Sequence, residues 1–167
     1  MATAEELTPD GPVAHRQNIE QERGRIAWRQ VRTVKETSVE KEYRALARGL
    51  NAMIQINGLG QTLGFFYAKA KGDPQDVHAR LLGHLTDWMR GEDQQHRPHF
   101  SATNRAILLS DGLLAWITDQ DTSSADYRRA TTECLAFGVW LSRFAEAELD
   151  PRTAKSARST TQEQPHE

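Results

Sequence analysis

The chain has 167 residues, a formal net charge of −2, 26% charged residues and one cysteine. That length suits one domain with a real core. One cysteine excludes an internal disulfide or a cysteine-built metal site, and the longest nearly apolar stretch, Ala106 to Ile117, is too short for a bilayer and contains Asp111.

Residues 1–12 and 150–167 are almost free of large apolar side chains and hold Pro9, Pro12, Pro151 and Pro165. They are read as flexible tails around a helical domain over 13–149. The acidic start does not fit a secretory leader, which needs basic residues and then an apolar run.

The first predicted helix opens at Pro12-Val13 and runs to about Glu36. Ile19, Ile26, Ala27, Val31 and Val34 share one side, and Arg25, Arg29 and Arg32 the other. Ser38 is the expected N-cap of a second helix over 39–56. Its apolar stripe is Tyr43, Leu46, Ala47, Leu50, Met53 and Ile54. Lys41, Arg44, Arg48, Asn51 and Gln55 fall opposite, within about 80° at 100° per residue. Asn57-Gly58 breaks the chain.

A third helix follows from Leu59 to Lys71, striped by Leu59, Leu63, Phe66 and Ala70. Gly60 and Gly64 each weaken it by about 1 kcal/mol relative to alanine, which suggests a close helix contact. Asp73-Pro74 opens a fourth helix that ends at Gly91. After a polar loop, Ser101 or Thr103 starts a fifth, with Gly112 as a candidate kink. Asp121 to Ser124 caps a sixth, running to Leu149. The stretch Cys134 to Leu141 is apolar almost all round, as in a central buried helix, and makes Cys134 a buried thiol. The expectation is an all-α, compact bundle of about six helices.

No HExxH, P-loop, GxSxG or dinucleotide fingerprint is present. The six histidines form no pair at ligand spacing, so neither a metal nor a cofactor is expected. A catalytic triad spread through the chain leaves no sequence signal. The charge distribution is more informative than its sum. Residues 16–71 hold 11 Lys/Arg against 5 Asp/Glu, and residues 72–167 hold 10 against 15. Such a split suits a basic face that takes phosphate, head-to-tail stacking of copies, a contact with an acidic protein, or a merely solvated surface.

Tyr43-Arg44-Ala45-Leu46-Ala47-Arg48, followed by Met53-Ile54-Gln55-Ile56-Asn57-Gly58-Leu59-Gly60-Gln61-Thr62-Leu63-Gly64-Phe65, resembles the hallmark stretch of the Cmr-type (type III-B) CRISPR small subunit. That pattern ends in a lysine, here Lys69. Tyr127 to Glu133 and Trp140 to Glu146 resemble the family's closing helix, with Ser142 where a second basic residue is common. Segments Ala27 to Lys35 and His84 to Met89 also fit, so the resemblance spans about residues 19 to 149.

The resemblance implies an all-helical, non-catalytic, cytoplasmic subunit of a prokaryotic RNA-guided antiviral complex. Its partners would be the backbone and large subunits of that complex, further copies of itself in a minor filament, and the guide and target RNA. Cleavage and signalling would reside in the other subunits. Recognition would be of RNA backbone, because guide pairing supplies sequence choice. The candidate phosphate contacts are Arg25, Arg29, Arg32, Lys41, Arg44 and Arg48. Gln55, Asn57, Gln61, Lys69 and Arg143 are secondary candidates, and Arg128 and Arg129 serve equally as subunit-interface residues.

Overall fold

Thr33 and Thr37 each turn a hydroxyl back onto a carbonyl three residues earlier, Gln30 O at 2.7 Å and Val34 O at 2.6 Å. Side chains that bond their own backbone compete with the helix. In the computed structural model, which describes residues 19–91 and 104–149, α1 therefore runs only from Ile19 to Arg32. The chain then leaves through tight turns, and Glu36 takes a left-handed φ of 62°. The expected continuation to Glu36 does not form. The predicted start at Pro12-Val13, both tails and the polar loop lie outside the described residues.

Ser38 is not the cap of the second helix. Glu40 does the anchoring instead: its carboxylate accepts from the backbone N–H of Glu36 at 2.9 Å, and the residue is buried. From there α2 covers Glu40–Asn57. Gly58, at φ 82°, turns the chain directly into α3, Leu59–Ala70, a conformation that costs glycine little. Asp76, not Asp73, caps α4 (Val77–Arg90) by accepting from the His78 N–H at 2.8 Å. Asp73 instead stabilises the preceding turn through the Gln75 N–H.

The predicted fifth helix is two. Gly112, at φ 94°, separates α5 (Arg105–Ser110) from α6 (Leu113–Thr118). Arg90 of α4 holds this break open by donating from Nε to the Leu108 carbonyl at 2.9 Å. The last helix, α7, spans Ser124–Glu148, and Ser123 caps it through the Asp126 N–H. The described residues thus form seven helices and no strand.

The long α7 packs against α1 and α2 as its main neighbours and touches α4 as well. Helix α4 lies on α3. One core joins all seven, with Tyr43, Phe66, Trp116 and Phe137 fully buried. Each such side chain contributes on the order of 2 kcal/mol of burial. Trp88 of α4 stacks on Phe137 of α7 at 4.8 Å and 9°. Cys134 is wholly buried, and burial pushes its thiol pKa up, so it stays protonated and inert. Helix α7 is central, but one side meets solvent: Val139 is 38% exposed.

Candidate nucleic-acid interface

The amphipathic pattern of α1 and α2 sends their basic residues outward for the same reason that it buries Ile26, Val31, Tyr43 and Leu50. On α1, Arg25, Arg29 and Arg32 are all exposed. The Arg32 guanidinium sits 5.4 Å from the ring centre of Trp28, a cation–π contact. Trp28 is itself fixed, since its indole N–H donates to Glu148 at 2.9 Å and its ring stacks on Phe144.

On α2, Lys41 and Arg48 are exposed and Arg44 is half-buried. Arg44 Nε is enclosed without a hydrogen-bond partner among the described residues. Arg48 is paired: its Nε lies 2.9 Å from Glu146 of α7. Arg143, three residues before Glu146 on α7, is exposed. The face is therefore less uniformly basic than the α2 sequence alone suggests. Asn51 does not join it. Its side-chain amide donates to the Leu135 carbonyl at 3.0 Å and clamps α2 to α7.

The remaining candidates divide. Gln55, Asn57 and Gln61 are exposed together around the α2–α3 corner. The Tyr127 hydroxyl accepts from the Gly60 N–H at 3.0 Å, so the first turn of α7 abuts that corner. This is the close approach that the glycine spacing suggested, at Gly60 only; a methyl group on Gly64 would meet nothing within 4 Å. Lys69 lies further along α3, its ammonium 5.6 Å from the Phe65 ring centre.

Sequence reasoning missed two parts of this surface. Trp28 beneath Arg32 was legible as an i, i+4 pair. Ala45, Ala52 and Ile56 are exposed beside the cations of α2, and their small or apolar character was hidden inside a pattern that scores well as amphipathic. Among the described residues no group of three or more His, Cys, Asp or Glu side chains is placed to hold a metal ion. No described helix is long and apolar enough to cross a membrane.

A family model described as "CRISPR-associated protein (Cas_Cmr5)" matches residues 19–148. The chain belongs to the Cas_Cmr5 family. It is accordingly a small subunit of the Cmr, type III-B, CRISPR complex. The Cmr5 match begins at the first residue of α1 and ends at the last of α7, so it covers the whole helical body. The crystal structure of a CRISPR-associated Cmr5 family protein from Thermus thermophilus has a similar fold. Its TM-score is 0.57 at 22% identity, over 80% of this chain and all of that one. The helical bundle expected from sequence is thus the fold of a Cmr5 relative.

Proposed function

We propose that this Cmr subunit holds the backbone of the guide–target RNA duplex and stacks with further copies of itself as a minor filament beside the backbone and large subunits. In this reading it works in the cytoplasm, supplies no catalytic group and needs no cofactor or metal. The observation that carries the RNA contact is the outward face of α2. Lys41, Arg44 and Arg48 share it, and the exposed Ala45 between them and Ala52 one turn beyond Arg48 leave room for a polynucleotide backbone to come close. Arg25, Arg29 and Arg32 on α1, Arg143 on α7 and Lys69 on α3 are further exposed cations, while Gln55 and Asn57 at the end of α2 and Gln61 at the start of α3 are the polar groups of the corner. None of these groups reads a base, which suits a subunit whose sequence choice comes from guide pairing.

The test is target-RNA retention by the assembled complex across a salt series, with and without Lys41, Arg44 and Arg48 changed together to glutamate. Removing one cation–phosphate pair per copy flattens the logarithmic salt slope by roughly 0.7 to 0.9. A flatter slope with intact assembly is the expected result. An unchanged slope removes α2 from the RNA path. Failed assembly assigns the face to a subunit contact.

A further inference from the structure

Ile56 is 81% exposed, the most exposed of the large apolar side chains among the described residues. It stands at the end of α2, two residues from the corner glycine. At the other end of α3 the described residues line a groove of about 540 Å³. Tyr67, Leu82 and Leu114 form apolar parts of its wall, and Asp73, Asp87 and Asp111 supply carboxylates. Helix α3 has twelve residues, which puts the two features about 18 Å apart along it. An apolar knob and an apolar groove at opposite ends of one chain cannot meet within that chain. They can meet between copies, and such a contact is heterologous and repeats.

Charge agrees with this pairing. Arg90, the cation among the described residues of the groove wall, is engaged with the carbonyls of Leu108 and Ser110. The Asp87 carboxylate makes no hydrogen bond or ion pair among the described residues, and desolvation raises its pKa against the pull of Arg90. At the corner the balance is reversed. Tyr127 ties the start of α7 to Gly60, and the next residue, Arg128, is exposed.

We propose that the α2–α3 corner of one copy, led by Ile56, seats in the groove between α3, α4 and the α5–α6 turn of the next copy, with Arg128 facing its carboxylates. This rests on the reading that copies stack, and it names the two surfaces that do so. A filament built this way turns Gln55, Asn57 and Gln61 of the corner toward the next copy and leaves the Lys41 and Arg48 face of α2 for the RNA.

Cysteine cross-linking tests it cleanly, because the native Cys134 is wholly buried. The full chain carries Ile56→Cys and Ala79→Cys together, Ala79 lining the groove in the first turn of α4. The variant is copurified with its complex, oxidised mildly and run without reductant, while native mass spectrometry counts copies in the unmodified complex. A reducible ladder of dimers, trimers and longer species is expected, with neither single variant giving one. Dimers formed by a single variant would mean a symmetric contact and overturn the proposal, as would Ala79→Cys joining a different subunit. Several copies per complex without a ladder would discard these two surfaces and leave stacking intact. One copy per complex would remove both.

Discussion

The Tyr43 hydroxyl lies 2.7 Å from Nδ1 of His84, joining α2 to α4 inside the core. Burial, and to a lesser degree the charge of Arg80, lowers the His84 pKa to about 4. An unfolded histidine titrates near 6.5. Between those values the unfolded chain takes up the proton first, so stability falls as pH falls. Above about pH 7 the ring is neutral in both states and contributes no pH dependence. The full loss, reached below about pH 4, is on the order of 3 kcal/mol. Urea titrations at pH 7, 5.5 and 4.5 measure it. His84→Gln keeps a polar partner for Tyr43 and should flatten this part of the profile. Equal slopes in the two proteins would show that His84 does not set it.

Arg23 makes a two-point contact with Glu133, Nε to Oε2 at 3.2 Å and Nη2 to Oε1 at 2.5 Å, and also pairs with Glu20. The arginine is buried at the α1–α7 seam. Glu133→Ala leaves a buried guanidinium with the exposed Glu20 as its remaining partner among the described residues. The expected cost is about 2 kcal/mol, below the usual range for stripping a buried pair because one partner stays. Chemical denaturation reads it directly. A loss under 0.5 kcal/mol, a threshold set at about the level of an ordinary surface change, would mean that Glu20 alone suffices.

Two glycines predict opposite signs. A Cβ on Gly138 would lie 2.2 Å from Asn51 Oδ1 and 3.1 Å from Leu50 Cδ2. Making room displaces the Asn51 amide that holds the Leu135 carbonyl, so Gly138→Ala should destabilise by about 1 to 3 kcal/mol. Gly64 sits inside α3 with nothing near its missing Cβ, so Gly64→Ala should stabilise by up to about 1 kcal/mol. Thermal melts of both variants decide it, and shifts of the same sign would contradict this packing.

These cases show where sequence is informative. The breaks at Gly58 and Gly91 and the cap at Ser123 were legible because each depends on local chemistry, a positive φ or a hydroxyl at the first turn. The candidate kink at Gly112 was legible for the same reason, though not that the helix divides there, with Arg90 reaching from α4 to the Leu108 carbonyl. The early end of α1 and the anchor at Glu40 were not: threonine hydroxyls such as those of Thr33 and Thr37 occur inside helices as well as at their ends, and the Glu40 carboxylate bonds back to a backbone N–H four residues earlier. The basic residues of α1 and α2 could be named from periodicity alone. That Glu146 sits against Arg48 could not, because 98 residues separate them and only the packing of α7 on α2 joins them.

That last pair gives the sharpest test of the proposed RNA surface. The Arg48–Glu146 contact is half-exposed at both ends, so its contribution to stability is at most about 1 kcal/mol. Glu146→Gln should leave the fold nearly unchanged and release Arg48. If the α2 face lines the RNA path, the freed arginine gains a phosphate. Retention of target RNA by the assembled complex then rises at low salt, and the logarithmic salt slope steepens by roughly 0.7 to 0.9 per copy. Arg48→Gln should move the slope in the other direction or not at all, since that arginine is already neutralised. The double variant should match Arg48→Gln. If Glu146→Gln leaves both affinity and slope unchanged, Arg48 is not within reach of the RNA backbone, and its role is confined to holding α2 against α7.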